Sequence, residues 1–145
     1  MSVGRICTRV THTAAGDESV RQAARRMAEH HVGTVVVVDE ASRPIGMLTD
    51  RDIAVRLVAP ALDPNVTTVA EIMSKPIHSV GEETAIESAL RGMAGASVRR
   101  AVVTDEKGKL VGILSLDDLL ELLTEEVEAI GALVRSQERR PALHG

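Results

Sequence analysis

The chain has 145 residues, 44% of them hydrophobic, yet it contains no Phe, Trp or Tyr. Its core must therefore be built from aliphatic side chains, which reach normal interior density when their shapes match. Without aromatic rings there is no stacking platform for single-stranded bases and no cage for a quaternary ammonium group. The formal net charge of -4 argues against a protein that binds nucleic acid through its phosphates.

Cellular location is indicated by what the sequence lacks. The single Cys7 excludes an internal disulfide and is typical of a reducing cytoplasm. No apolar run approaches the roughly 20 residues of a membrane span, and the N-terminal residues do not resemble a signal peptide. We therefore expect a soluble, cytoplasmic protein that has no membrane partner.

An internal repeat organises the chain. Residues 35–40, 45–49 and 52–53 reappear, in the same order and with the same spacing, at 101–106, 111–115 and 118–119. One offset of 66 residues relates all three pairs of segments. Such a constant register predicts two homologous units, 5–65 and 66–124, followed by a C-terminal extension at 125–145.

Each unit begins with the same two elements. A short extended segment is predicted at 8–13 in the first unit and at 76–80 in the second. An amphipathic helix follows, because apolar residues recur at i, i+3, i+4, i+7 and i+8 from Val20 and again from Ile86.

Each unit then continues with a hairpin and a second helix. The β-branched runs 34–38 and 101–104 are apolar on both faces, which predicts buried strands. A polar turn leads to a second strand, at 45–48 or 110–114, and another helix begins near Asp50 or Leu116. Because a unit of about 60 residues is marginal alone, we expect the two units to pack face to face around one shared core.

The order β-α-β-β-α, closed by Gly-apolar-apolar-Thr/Ser-x-x-Asp at 46–52 and 112–118, resembles the cystathionine-β-synthase (CBS) domain. These domains occur in tandem pairs, often called Bateman modules, and residues 69–73 resemble the short helix that introduces the second domain. The resemblance covers residues 5–124. It implies an α+β fold of α/β type, in which two β-α-β-β-α repeats pack through their sheets with pseudo-two-fold symmetry, plus a C-terminal helix.

The resemblance also implies a function. CBS pairs bind adenosine-containing ligands such as AMP, ADP, ATP, S-adenosylmethionine or NAD in clefts between the repeats, and often dimerise. We therefore expect a stand-alone regulatory module, a homodimer that signals to a target protein, with no required cofactor. The alternative is a dimeric scaffold that binds a protein partner without any nucleotide. An enzyme is disfavoured, because there is no nucleophile–base pairing, metal-ligand spacing or Gly-rich phosphate loop.

Two Thr/Ser-x-x-Asp motifs are the first candidate sites. In Thr49-x-x-Asp52 and Ser115-x-x-Asp118, an ionised carboxylate could accept hydrogen bonds from two ribose hydroxyls. The hydroxyl residue stands at a helix N-terminus, where an anion is favoured. The same pattern is also an ordinary helix-start signal, and both roles can coexist.

Candidates for phosphate binding differ between the units. Arg99 stands where CBS domains often carry an Arg that reaches a phosphate, and the first unit has Gly33 there instead. Arg51 lies within the first motif and could approach a phosphate, whereas Asp117 of the second motif would repel one. For both Arg residues the alternative is a solvated surface position. The asymmetry predicts two non-equivalent clefts.

Adenine recognition is assigned from the resemblance to the residues that end each first extended segment. Backbone at His12-Thr13 and His78-Ser79 would read the adenine edge, although CBS domains commonly carry Thr where the two His stand. Because no Cys or carboxylate set accompanies these His, we expect no metal site and favour ordinary surface histidines. Aliphatic side chains would enclose the base, and the candidates are Val32, Val98, Met47 and Ile113. Gly33 and Thr34, which follow Val32, complete the set of candidate residues.

The C-terminal extension continues the last helix over residues 124–137. Val127, Ile130, Leu133 and Val134 form one apolar stripe. This stripe either packs back onto the core or contacts a second copy, and we favour the homodimer contact. Residues from Arg139 onward are expected to be frayed.

Overall fold

The structure, a computed structural model, describes residues 1–9 and 12–139. The predicted segment at 8–13 thus includes two residues outside this range, and the frayed end expected from Arg139 lies almost wholly outside it. In chain order the elements are α1 (Val3–Ile6), β1 (Thr8–Arg9), β2 (Thr13–Ala15), α2 (Val20–His30), β3 (Thr34–Val38), β4 (Pro44–Thr49), α3 (Asp50–Asp52), a π-helical segment (Ile53–Val58), α4 (Val69–Ile72), β5 (Ser79–Gly81), α5 (Ile86–Ala96), β6 (Arg100–Thr104), β7 (Leu110–Ser115) and α6 (Leu116–Glu138).

The strands form two sheets that repeat one pattern. The first sheet has the order β2-β3-β4, and the second has the order β1-β7-β6-β5. In each sheet a parallel pair, β2 with β3 or β5 with β6, adjoins an antiparallel hairpin, β3-β4 or β6-β7. The expected mixed α+β architecture with a C-terminal helix is confirmed.

Helix ends are defined by local side-chain chemistry. The hydroxyl of Ser19 accepts a hydrogen bond from the backbone N–H of Gln22, whose side chain accepts one from the N–H of Ser19, so a capping box begins α2. The helices α2 and α5 each end in a left-handed residue, His31 at φ 54° and Ser97 at φ 55°. These two residues turn the chain into β3 and β6 at equivalent points of the repeats.

The expectation of one shared core is wrong, because the buried side chains form two clusters. One is centred on Val20, Val35 and Leu48 of the first repeat, and the other on Ala89 and Leu114 of the second. Successive side chains of a strand point to opposite faces of the sheet. Val36 of β3 and Val102 of β6 therefore point away from these two clusters, and both are fully buried.

The two repeats contact each other through their β-sheets. The Arg100 guanidinium donates to the Thr34 hydroxyl at 3.4 Å, and these two residues are equivalent positions of the repeats. The backbone N–H of Leu110 donates to the carbonyl of Ser42 at 3.0 Å, which joins the two hairpins. Polar and backbone contacts thus supplement the apolar packing around Val36 and Val102.

The two repeats exchange their N-terminal segments, an arrangement that the sequence pattern does not predict. Val3 of α1 is fully buried in the core cluster of the second repeat, and β1 pairs with β7. Conversely, Val69 and Ile72 of α4 lie in the core cluster of the first repeat. The segment at 8–13 is therefore divided between two sheets, and the helix at 69–73 completes the domain that precedes it. The unit boundaries 5–65 and 66–124 stay a prediction drawn from sequence periodicity.

The exchanged segments pass very close to the two motif glycines. A Cβ atom at Gly112 would collide with the Thr8 carbonyl oxygen and would lie 3.1 Å from the Cys7 sulfur. At Gly46 it would collide with the Met73 side chain. At Gly112, where the opposing atoms are mainly backbone, only glycine permits this approach. At Gly46 the opposing atoms belong to the flexible Met73 side chain. Burial also raises the pKa of the Cys7 thiol, which keeps it protonated.

Replacing Gly112 with Ala tests this close approach. We expect the free energy of unfolding to fall by about 1–3 kcal/mol, because the new methyl group meets backbone that cannot move aside cheaply. The matched control is Gly95→Ala in α5, where an added Cβ has no heavy atom within 4 Å. The control should gain about 0.5–1 kcal/mol. Urea denaturation followed by circular dichroism measures both, and equal stability of the two variants would contradict the account.

Candidate functional site

A cleft of about 450 Å³ opens beside the second repeat. This volume lies in the range of sites that hold small organic ligands. Five sequence-predicted residues line it, namely Met47, His78, Val98, Arg99 and Ser115, and Ser74, Pro76, Ile77, Arg100 and Asp117 complete the wall.

Four chain segments build this cleft, and one of them is β4, which contributes Met47. The residues after the exchanged α4, at 74–78, form one side, and the turn between α5 and β6 forms another. The N–H of Val98 donates to the Met93 carbonyl at 3.0 Å, and the N–H of Leu116 donates to the Arg99 carbonyl at 2.9 Å. These backbone bonds hold Val98 and Arg99 against the N-terminus of α6, so the mouth of the cleft is a preformed feature.

Charge in the second cleft is mixed and exposed. Arg99 Nη2 lies 3.2 Å from Asp117 Oδ1, with both side chains about three-quarters exposed at 74% and 75%. An ion pair this exposed contributes little to stability, so the guanidinium can turn toward a bound anion at small cost. The positive end of the 23-residue helix α6 points to the same region.

The two motif aspartates lie in the first turn of a helix, as expected if the Thr/Ser-x-x-Asp pattern is an ordinary helix-start signal. The Thr49 hydroxyl accepts from the Asp52 N–H at 3.0 Å, and the Asp52 carboxylate accepts from the Thr49 N–H at 3.0 Å. At the second motif, the Ser115 hydroxyl accepts from the Asp118 N–H at 3.2 Å.

The same two carboxylates also accept hydrogen bonds from the exchanged segments. The Ser74 hydroxyl lies 3.0 Å and 3.1 Å from the two Asp52 oxygens, and the Thr8 hydroxyl donates to Asp118 Oδ2 at 3.1 Å. Asp52 is only 8% exposed and both of its oxygens are engaged. Asp118 is partly exposed, and its Oδ1 accepts no hydrogen bond from the described part of the chain. Asp118 is therefore more accessible than Asp52, and it lies beside Asp117 without being one of the residues that line the second cleft.

The first repeat presents a different surface at the equivalent positions. A Cβ atom at Gly33 would lie 3.0 Å from Asp50 Oδ2, so a carboxylate stands where the second repeat has Arg99. Arg51 is exposed, and Val32 lines a separate depression of about 310 Å³ with Met27 and Ile53. By the offset of the repeats, the cleft equivalent to the second would include residues 10 and 11, which lie outside the described residues.

The remaining candidates lie on strands or beside them. Thr34 pairs with Thr49, and Ile113 is the register partner of Thr8 and of Val102. Ser79 pairs with Val102 in the parallel ladder. These pairings place the three candidates within the two sheets, outside the lining of the second cleft.

A second, more polar groove lies along the first repeat and was missed by sequence reasoning. It encloses about 940 Å³ between α2 and the ends of β2 and β3, and His12 and Thr13 line it. The His12 ring stacks on His30 with centroids 3.8 Å apart and an interplanar angle of 16°. Arg26 donates to Glu18 at 2.7 Å and to the Thr13 carbonyl at 2.7 Å. The hydrogen bond from Arg26 lowers the pKa of Glu18, and the bond to Glu18 raises the pKa of Arg26.

Neither a metal cluster nor a membrane helix is found in the part of the chain that the structure describes. Within residues 1–9 and 12–139, no three His, Cys, Asp or Glu side chains come together as a metal site would require. None of the helices in this range has the length and apolar character needed to cross a bilayer.

Comparison with known families finds two matches within the chain. The family described as CBS domain matches residues 3–59 and again residues 69–125. Among relatives, protein MK0525 of Methanopyrus kandleri is 34% identical over 122 residues, which cover 84% of this chain and 62% of that protein. Hypoxic response protein 1 of Mycobacterium tuberculosis is 37% identical over 114 residues, covering 78% of this chain and 79% of that protein.

Solved structures with the same fold hold different ligands. A crystal structure of hypoxic response protein I with two coordinated zinc ions has a TM-score of 0.72 at 30% identity and covers 83% of this chain and 98% of that one. The CBS domain pair of protein MJ0100, in complex with 5-methylthioadenosine and S-adenosyl-L-methionine, has a TM-score of 0.72 at 25% identity, covering 87% and 98%. The cytosolic domain of the Mg2+ channel MgtE in complex with ATP has a TM-score of 0.70 at 31% identity, covering 83% of this chain and 48% of that one.

The ion pair in the polar groove generates a pH-dependent prediction. Replacing Arg26 with Met should lower the free energy of unfolding at pH 7 by about 1 kcal/mol. Because the folded-state pKa of Glu18 is lowered, the contribution of the pair is present above the unfolded-state pKa and is lost as the pH falls through the folded-state pKa.

The stability difference between wild type and Arg26→Met should therefore shrink below about pH 4. Urea denaturation at a series of pH values measures it, and Arg25→Met, an exposed neighbour on the same helix, is the control. A difference that stays constant from neutral to acidic pH would show that the ion pair is not its source.

Proposed function

Because this chain belongs to the CBS domain family, of which it carries two tandem copies, we propose that it is a regulatory module that binds an adenosine-containing ligand in the second cleft. AMP, ADP and ATP are the leading candidates, ahead of S-adenosylmethionine and NAD. Ligand binding changes the relative arrangement of the repeats in a cytoplasmic dimer and is read by a target protein. The module regulates and does not catalyse a reaction.

The observation that carries this proposal is the composition of the second cleft. Met47, Ile77 and Val98 supply apolar walls for a flat base, and they come from both repeats. A base held this way needs no aromatic ring, because aliphatic contacts on its two faces and hydrogen bonds at its edge suffice. The absence of Phe, Trp and Tyr is therefore compatible with adenine binding.

Phosphate recognition is assigned to Arg99 and the start of α6. The guanidinium is exposed and is held only by the solvated pair with Asp117. A guanidinium can bind phosphate oxygens in a bidentate manner, and the helix N-terminus adds a favourable field. In the first repeat Asp50 beside Gly33 repels an anion, so we assign no phosphate site there.

Ribose recognition is assigned to Ser115 and Asp118. Oδ1 of Asp118 can accept a ribose hydroxyl, while Oδ2 already accepts the Thr8 hydroxyl. A ligand that recruits both oxygens competes with Thr8, which belongs to the segment exchanged from the first repeat. Binding then loosens the connection between the repeats, and this is the conformational signal that we propose.

Two similar proteins support an adenosine ligand. The CBS pair of MJ0100 holds 5-methylthioadenosine and S-adenosyl-L-methionine, and the MgtE cytosolic domain holds ATP. The zinc ions of hypoxic response protein I suggest another ligand class. A metal is not proposed for this chain, since its described residues offer no cluster of three ligating side chains.

A nucleotide-independent scaffold is the second candidate function. It is favoured by one observation, namely that both Asp52 oxygens are occupied by Thr49 and Ser74. The first ribose motif therefore has a complete structural role without any ligand. If no adenosine compound binds, the scaffold function is favoured over the ligand-binding function.

Isothermal titration calorimetry tests the proposed function directly. We expect AMP and ATP to bind, and Arg99→Ala to weaken their affinity by about 1.5–3 kcal/mol, or roughly 10- to 100-fold, through loss of a charged hydrogen bond. Affinity for adenosine should change little. Arg91→Ala removes the same charge from the exposed face of α5 and is the matched control. Equal loss in both variants, or no binding of any ligand at millimolar concentration, would contradict the proposal.

The two neighbouring aspartates should respond in opposite directions. Asp118→Asn should weaken all adenosine ligands by about tenfold, because an amide replaces an acceptor oxygen with a donor. Asp117→Asn should instead strengthen AMP and ATP binding, because it removes a repulsive charge and releases Arg99. Each substitution changes the net charge by the same amount. A change of affinity in the same direction for both variants, measured by the same titrations, would therefore contradict the separate roles of Asp117 and Asp118.

A further inference from the structure

Each sheet ends on one side in a parallel edge strand, β2 in the first repeat and β5 in the second. The outer side of an edge strand presents backbone N–H and C=O groups that can pair with another extended chain. The two strands are equivalent in the repeats, since each pairs with the first strand of its hairpin. Their outer sides nevertheless differ in how these backbone groups are satisfied.

The outer side of β2 is closed by the ion pair between Arg26 and Glu18. The Arg26 guanidinium donates to the Thr13 carbonyl at 2.7 Å, and Glu18 Oε2 accepts from the Ala15 N–H at 3.2 Å. The two side chains are joined by hydrogen bonds of 2.7 Å and 3.0 Å. The pair thus occupies an acceptor and a donor that an added strand would use.

The outer side of β5 is open. The ladder between β5 and β6 includes hydrogen bonds at the His78 carbonyl and the Glu82 N–H, and Val80 pairs with Val103 between them. Because backbone groups alternate in direction along a strand, the N–H and C=O of Ser79 and the N–H of Gly81 point outward. Both residues are exposed, and these three groups form no hydrogen bond with any residue in 1–9 or 12–139.

The residues that cover β2 have no counterpart beside β5. By the offset of 66 residues, Thr84 stands where the first repeat has Glu18. Gly92 stands where it has Arg26, and an added Cβ at Gly92 would lie only 3.5 Å from the Nε2 atom of His78. Position 92 is therefore beside the strand, and the sequence itself leaves this edge uncovered.

Short side chains on α5 leave room for an added strand. The side of α2 that lines the polar groove carries three long polar residues, Gln22, Arg26 and Glu29. Their counterparts on α5 are Ser88, Gly92 and Gly95. A Cβ atom at Gly95 would have no heavy atom within 4 Å. Side chains of a strand that pairs with β5 can therefore lie against this helix.

Charge at the C-terminal end of β5 specifies the partner. A depression of about 440 Å³ at this end is lined by Glu82, Glu83, Asp105, Glu106, Lys107 and Lys109. Its four carboxylates against two ammonium groups leave an excess of two negative charges, and this excess attracts a cation. The helix α5 contributes one residue of each sign, Glu87 and Arg91, and leaves this balance unchanged.

We propose that the outer side of β5 binds an extended, basic segment of a target protein, which adds a fifth strand to the four-stranded sheet. Backbone hydrogen bonds to Ser79 and Gly81 supply affinity, and a Lys or Arg beside the acidic depression supplies specificity. Edge binding rests on the proposed function in one respect, namely that a target protein reads the module. The edge directly follows His78 of the second cleft, so target and ligand bind side by side.

Peptide titration tests the edge. The probe is a blocked peptide of six alternating Thr and Val residues with one Trp and two Lys at one end, and a second version carries them at the other end to cover both strand directions. Because the chain has no Trp or Tyr, the peptide Trp reports binding without a protein background. At least one version should bind, and N-methylation of its Thr and Val residues should weaken binding at least about tenfold, since it removes the strand donors. No binding of either version at millimolar concentration, or equal binding of the N-methylated form, would overturn the proposal.

Grafting the cover of β2 onto β5 tests the location. Thr84→Glu/Gly92→Arg places the ion pair at the equivalent positions and should weaken peptide binding at least about tenfold. Leu90→Glu/Ala94→Arg is the control, because the counterparts of these positions line the depression on the other side of α2. Circular dichroism verifies that both variants fold. Unchanged affinity in the folded graft, or an equal loss in the control, would overturn the assignment to β5.

Neutralisation tests the charge of the partner. Glu83→Gln/Glu106→Gln should weaken the Lys peptide about fivefold and should not affect a peptide with Ser in place of Lys. Asp17→Asn/Glu40→Gln removes the same charge at the equivalent positions of the first repeat and is the control. An unchanged affinity for the Lys peptide, or an equal response of both pairs, would overturn the basic partner. All these titrations omit nucleotide, so a failure here leaves AMP binding in the cleft intact, and a failure of AMP to bind leaves peptide binding intact.

Discussion

The close passage of two exchanged segments over two glycines organises this molecule. Residues 7–8 cross β7 at Gly112, where a Cβ atom would meet the Thr8 backbone, and residues 73–74 cross β4 at Gly46, where it would meet the Met73 side chain. Each passage brings an apolar helix into the core of the other repeat, through Val3 or Val69. The repeats are therefore incomplete when separated, and the second cleft inherits its position from the chain that continues past Ser74.

The same constraint explains why the motif aspartates have two roles. Asp52 and Asp118 each begin a helix and each bind a hydroxyl of an exchanged segment. The environments then differ. Asp52 is buried, whereas Asp118 keeps an oxygen free of hydrogen bonds to the described residues, so the near-identical motifs are not equivalent sites. The exposed charges reinforce the difference, because Arg99 lines the second cleft whereas Asp50 lies at the equivalent position of the first repeat.

Much of the fold could be predicted, because local patterns determine it. The hairpins, the helices from Val20 and Ile86 and the long last helix follow from periodicity alone. The exchange could not be predicted in this way, since nothing local shows which core accepts a four-residue helix. The offset of the repeats held a clue, because it aligns Thr8 with Ser74 and Cys7 with Met73. In the second cleft, Met47, Val98 and Arg99 were found through the resemblance to CBS domains. Ser74 was missed because it belongs to the segment that follows α4, and Ile77 was missed because it lies in a predicted extended segment at a position that carries no motif residue.

The central claim is that the second cleft is the regulatory ligand site, and hydrogen exchange with and without AMP measures this most directly. The account predicts slower exchange, on ligand addition, in peptides that cover 76–78 and 98–100 and at the start of α6, with faster exchange at β1 as Thr8 is released. The polar groove along α2 should be unaffected. Unchanged exchange at saturating ligand, or protection confined to the groove near His12 and His30, would contradict the account.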